Sequence, residues 1–286
     1  MSPFPIIDSH LHVWDLAVRD QPWIAGEALA PLRRSFSIDD LRPEAEAAGV
    51  TATVLVQTVT VPEETPEFLA LAAGDPLVAG VVGWTDLTAP DVADAIAALR
   101  ELPGGDRLVG IRHQVQEEPD PNWLLRQDVR RGLLAVGRAG LVFDLVVTPQ
   151  QLPAACAVAA GMTGVGFVLD HLGKPPIATG PLTPWAADVR RLAALPNTVC
   201  KLSGLLTEAA PGADVHDLQP YVDVALQAFG PQRLMFGSDW PVSTLAAGYR
   251  QVVSTTVDLL VLAQLSPSEQ AAVLSGNAAR IYALGD

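Results

Sequence analysis

The chain has 286 residues, 49% of them apolar, enough to bury one large core at the size of a single α/β barrel. Its formal net charge of −14 argues against nucleic acid or an anionic membrane as partner and suits a small uncharged ligand. No apolar run reaches the roughly 18 residues of a membrane span. Met1-Ser2-Pro3-Phe4 lacks the basic-then-apolar pattern of a secretory signal, and Cys156 and Cys200 sit in no C-x-x-C or metal knuckle. The expectation is a cytoplasmic protein without a disulfide framework.

The first strand, from Ile6, runs into Asp8-Ser9-His10-Leu11-His12. Strict alternation puts Asp8, His10 and His12 on one face and Ile7, Ser9 and Leu11 on the other. Val13 to Ser37 follows, too long for an ordinary connection. Its Trp14 and Trp23 favour an ordered segment, folded over something or packed on a rim.

From there helices and strands alternate. Helical patterns cover 38–48, 63–73, 90–102, 123–139, 150–160, 184–195 and 217–229, with further helices from Ala246. Apolar, β-branched strands lie between them at 52–59, 78–84, 108–114, 141–147, 165–171, 198–203 and 233–239. Continuous apolar strands alternating with amphipathic helices indicate a parallel sheet, and eight βα units in this length predict a (β/α)8 barrel spanning 1–286 as one domain. An open doubly wound sheet is the alternative, but the first strand leads into His-Leu-His where that fold offers a glycine-rich phosphate turn.

Active sites of such barrels lie at the C-terminal strand ends. Polar residues collect there: His10 and His12 on strand one, Arg112-His113-Gln114 on strand four, Asp170-His171 and then Lys174 after strand six, Lys201 and Ser203 on strand seven, Ser238-Asp239-Trp240 after strand eight. Four of the five histidines fall at strand ends, which scattered surface histidines would not do; His216 instead precedes a helix, as a cap or a solvated ring. Of Arg112 and His113, adjacent in sequence, one faces inward. Lys201 reads as a side chain that snorkels to the rim, and Asp144 as a structural carboxylate that needs partners.

The ordered set IIDSHLHVWD, GIRHQVQ, LDHLGKP, KLSGL and MFGSDWPV resembles the amidohydrolase superfamily, and within it the amidohydrolase-related branch that opens sugar and pyrone lactones. H-x-H alone is a weak signal; the ordered set is specific and covers the chain from residue 6 to about 283. The resemblance implies a distorted (β/α)8 barrel and a catalytic set of His10, His12, His171 and Asp239. Metal-dependent members ligate with the H-x-H pair and the last aspartate, joined by a histidine on strand five or a carboxylated lysine on strand four. Here strand five is LVFDLVV and strand four carries Arg112 and His113, so the expectation is that no metal is required. The alternative is one divalent ion, zinc or manganese, on His10, His12 and Asp239.

The implied chemistry is hydrolysis of a sugar-acid lactone of the L-fucono- or L-rhamnono-lactone type. Asp239 would be the general base, and the three histidines would polarise the carbonyl or carry protons. Trp14, Arg112, His113, Gln114, Lys174 and Trp240 are the candidates for holding substrate. A dicarboxylate would want more cations than Arg112 and Lys174 supply, so a neutral aldonolactone fits better. Competing readings are a mononuclear-metal hydrolase or decarboxylase and a non-catalytic sugar-binding barrel. Assembly of identical copies is compatible with all three.

Overall fold

The computed structural model describes residues 4–285. The first three residues, part of the stretch that lacks a signal pattern, lie outside the described residues. Eight parallel strands follow in sequence order: β1 (Ile6–Leu11), β2 (Val50–Val56), β3 (Val78–Gly83), β4 (Leu108–His113), β5 (Val142–Leu145), β6 (Gly166–Leu169), β7 (Thr198–Leu202) and β8 (Leu234–Phe236). Every neighbouring pair is parallel, which excludes the open doubly wound order. A bridge between Leu11 and Trp240 joins the last strand's exit to the first, so the sheet closes.

Helices cover the outside: α1 (Ile38–Ala48), α2 (Glu64–Gly74), α3 (Val92–Arg100), α4 (Gln127–Arg138), α5 (Leu152–Gly161), α6 (Leu182–Ala193), α7 (Leu205–Glu208), α8 (Val215–Phe229), α9 (Tyr249–Leu262), α10 (Pro267–Ala271) and α11 (Asn277–Ile281). Local chemistry sets their ends. Ser37 and Asp40 form a capping box at the start of α1, worth about 1 kcal/mol. Gly49 ends that helix in the left-handed conformation. On α4, Val129, Leu133 and Val136 recur at helical spacing and are all buried against the barrel. The helix expected at 217 begins at Val215, capped by Asp214, so His216 lies in its first turn, exposed.

One apolar cluster fills the space between strands and helices. A second fills the barrel interior, with Val54, Val56, Val82, Val168, Val199 and Met235 from the strands. Ala278 and Tyr282, at the end of the chain, join the interior cluster. Ile7 packs against this inner cluster too, contrary to the strict alternation expected of the first strand. The register between β1 and β2 shifts after Asp8, and that irregularity resets the phase. Asp8 therefore does not share a face with the histidines; its carboxylate meets Tyr249 of α9. No helix of the described residues is long and apolar enough to cross a membrane.

Candidate active site

The irregular end of β1 delivers two imidazoles to the mouth of the barrel. Barrel closure then brings the last strand beside them. Asp239 N–H donates to His10 O at 2.8 Å and His12 N–H to Trp240 O at 2.7 Å. Asp8 ties the same seam from behind, accepting from Ser238 N–H at 2.8 Å, His10 N–H at 3.2 Å and the Tyr249 hydroxyl at 2.9 Å. Asp8 is fully buried, and burial pushes its carboxyl up to about 6 against these hydrogen bonds.

The result is a compact polar cluster. His10 Nε2 and His12 Nε2 lie 3.1 Å apart. Asp239 Oδ1 is 3.7 Å from His10 Nε2, 3.5 Å from His12 Nε2 and 3.9 Å from His171 Nε2. All four expected catalytic side chains are buried. His12 Nδ1 is 2.8 Å from Val56 O, so it carries the proton and leaves Nε2 a lone pair. His171 is set by a turn in which His171, Leu172, Gly173 and Lys174 all have positive φ. For non-glycine residues that costs about 1 kcal/mol or more each, which the surrounding packing must offset. Its Nδ1 lies 2.9 Å from Ser203 Oγ.

Burial lowers all three histidines, His171 to about 4, so they are neutral imidazoles near pH 7. Burial alone would raise Asp239, but His171, His12 and His10 outweigh it and hold the carboxyl well below the usual range.

Below this cluster the barrel interior is charged. Arg112 donates to Gln57 Oε1 at 2.9 Å, to Gln57 O, and to Asp170 Oδ2 at 3.1 Å. Lys201 Nζ lies 2.5 Å from Asp144 Oδ2 and 2.9 Å from Asp170 Oδ1. Lys201 does not snorkel: it is completely buried. Two cations facing two carboxylates at full burial are tolerable because each is paired.

Above the cluster opens a cavity of about 270 Å³, lined by His12, His171, Asp239 and Arg112, and further out by Trp23, Gln114, Lys174 and Glu117. Of the expected substrate contacts, Arg112, Gln114 and Lys174 reach it. His113 does not: it stacks on Trp123, takes the Trp84 indole N–H at 3.1 Å and meets Glu118 at 2.7 Å. Being next to Arg112 on a strand, it points outward. Trp14 is buried with its indole N–H on Arg34 O, and it packs on Phe36 and Trp23. Trp240 packs on Phe36, away from the cavity. The long segment after β1 does fold over the mouth, but through Trp23 and Leu29.

Two glycines that polarity at strand ends does not single out also shape the site, and both lie inside the motifs. A Cβ at Gly237 would stand 2.7 Å from His10 Cβ. One at Gly204, whose φ is 67°, would stand 2.9 Å from His171 Nδ1. Ser203 and Asp170, which hold His171 and Arg112, are marked in the sequence only as polar residues at strand exits.

The family model described as amidohydrolase matches residues 7–284. The chain belongs to the amidohydrolase family. Two curated relatives, both called L-fucono-1,5-lactonase, come from Burkholderia multivorans and Burkholderia ambifaria. The first is 42% identical over 97% of this chain and 96% of its own length. The second is 38% identical over 96% of this chain and 94% of its own. A crystal structure of an amidohydrolase from Burkholderia multivorans with bound zinc superposes with a TM-score of 0.92 at 41% identity, covering 98% of this chain and all of that one.

In this amidohydrolase, His10, His12 and Asp239 suit a divalent ion. Donors held about 2.0–2.2 Å from a tetrahedral centre stand about 3.3–3.6 Å apart. The three separations here are 3.1, 3.5 and 3.7 Å. The donors are two imidazoles and a carboxylate, a set zinc accepts, and the open side faces the cavity.

Proposed function

We propose that this chain hydrolyses a neutral sugar-acid lactone of the L-fucono-lactone type. The observation that carries the reading is the convergence of His12, His171 and Asp239 on the floor of one cavity, with the fully buried His10 packed against them. The relatives at 42% and 38% identity bear a lactonase name, which supports the substrate class.

Asp239 is ionised across the neutral range and stands at the floor, so it takes the proton of the attacking water. His171, a neutral imidazole 3.9 Å away, is placed to pass a proton toward the leaving ring oxygen. Gln114 and Lys174 offer donors to substrate hydroxyls. Arg112 is consumed by Gln57 and Asp170, and the cavity lining balances the cation Lys174 with the carboxylate Glu117. That balance disfavours a substrate with several carboxylates.

The expectation that no metal is required gives way here. A relative at 41% identity was solved with zinc, and His10, His12 and Asp239 of this chain stand at separations that suit a divalent ion. We assign one divalent ion, zinc in the first instance, to His10, His12 and Asp239. Such an ion supplies Lewis-acid polarisation of a carbonyl oxygen.

The test is a panel of neutral aldonolactones beside carboxylate-bearing lactones, assayed by acid release on zinc-loaded and chelator-treated protein. Ring opening of the neutral set is expected, with carboxylate-bearing lactones slower. Retained binding without ring opening across the panel would favour a sugar-binding barrel.

A further inference from the structure

The charged layer beneath His10 does more than fill the barrel. Lys201 Nζ lies 3.0 Å from His10 Nδ1 while it also holds Asp144. Asp144 in turn accepts the Tyr282 hydroxyl at 2.8 Å, so the end of the chain braces the lysine. An ammonium has donors only, so its contact with Nδ1 needs a lone pair there and puts the neutral ring's proton on Nε2. On the other side, His12 Nε2 at 3.1 Å presents a lone pair to receive that proton, because His12 Nδ1 is spent on Val56 O.

Two contacts pull the other way. Asp170 Oδ1 is buried, pairs with Lys201 Nζ at 2.9 Å, and lies 3.4 Å from His10 Nδ1. Arg112 Nη1 lies 3.4 Å from His10 Nε2 and can only donate. The two shorter contacts favour a proton on Nε2, and the two longer ones favour it on Nδ1.

We propose that Lys201 and Asp170 act together as a tautomer selector for His10. With no metal bound, Lys201 holds His10 as an Nε2–H donor. When a cation takes Nε2, that proton leaves to water and another is taken up from water at Nδ1, where Asp170 Oδ1 receives it. The ring is neutral in both forms and no net proton is exchanged. Metal-bound histidines ordinarily give their second N–H to a carboxylate, and Asp170 Oδ1, which Lys201 also holds, is the carboxylate oxygen beside Nδ1. Lys201 is thus a positioning residue that opposes metal binding, and Asp170 one that favours it. The inference rests on the assignment of His10, His12 and Asp239 as metal donors.

The experiment uses full-length protein labelled with 15N-histidine. Two-bond 1H–15N spectra of the chelator-treated wild type report which ring nitrogen of His10 carries the proton. The Nε2–H form is expected, and an Nδ1–H ring would overturn the proposal without any variant having to fold. In Lys201→Met combined with Asp144→Asn, which removes one cation and one anion together, His10 should change to Nδ1–H. Zinc affinity should then rise about tenfold, and in Asp170→Asn it should fall about ten- to a hundredfold. Unchanged zinc affinity in a natively folded double variant would also overturn it. A wild type that binds no zinc would defeat the metal assignment, and the ring spectrum would still decide the role of Lys201.

Discussion

Gly237 and His10 touch across the seam where the barrel closes: a Cβ at Gly237 would sit 2.7 Å from His10 Cβ. The strand exit that leads to Asp239 and the strand carrying the histidine pair are therefore in backbone-to-side-chain contact. Gly237→Ala must push the two apart. Displacements approaching 1 Å at reacting groups cost about 100-fold in rate. A drop in kcat/KM of about 10- to 100-fold is expected, with a smaller change in melting temperature. Kinetics and a thermal melt on the same preparation check it, and wild-type kinetics would show that the seam can relax.

Asp239→Asn keeps the shape of the side chain and removes the proposed base. Loss of a general base typically costs about 10²–10⁴-fold. Turnover should fall by that much while substrate affinity, measured by equilibrium titration, stays within a few-fold of wild type. Near wild-type turnover would remove Asp239 from its role.

Zinc that binds the folded state alone should stabilise it. At a free concentration 100 times the dissociation constant the gain is about 2.7 kcal/mol. Chelator-treated protein should melt lower than zinc-loaded protein, and His12→Ala should erase the difference. A melt indifferent to zinc in the wild type would count against the donor set.

Asp8 gives the seam a pH dependence. Its carboxyl is raised to about 6 in the fold from 3.8, chiefly by burial. A raised acid favours the folded state while it is protonated, so its contribution is complete below pH 3.8 and is lost as pH rises through about 6. The loss is about 3 kcal/mol at most, since each tenfold change in proton affinity is worth about 1.4 kcal/mol. Asp8→Asn can keep both backbone bonds on its carbonyl and turn its amide to the Tyr249 oxygen. Its stability advantage over wild type, measured by denaturant unfolding, should grow between about pH 4 and pH 7. A constant difference across that range would show that Asp8 does not titrate there.

The sequence by itself determined the architecture. Alternating apolar strands and amphipathic helices leave few solutions, because each strand must bury both faces and each helix one. It also determined the set His10, His12, His171 and Asp239, since polar residues at strand exits can only meet at the mouth. Tertiary structure decided what local pattern could not carry. Register after Asp8 depends on pairing with β2, so strict alternation misplaced Asp8 and Ile7. Which of Arg112 and His113 faces inward depends on strand tilt, and Arg112 won, with Gln57 and Asp170 waiting as partners. Trp14 and Trp240 were drawn into aromatic packing with Phe36 that no sequence spacing announces. Lys201 is buried because Asp144 and Asp170, from two other strands, neutralise it. A charge that looks like a rim residue along one strand becomes an interior one only when the barrel closes around its counter-ions.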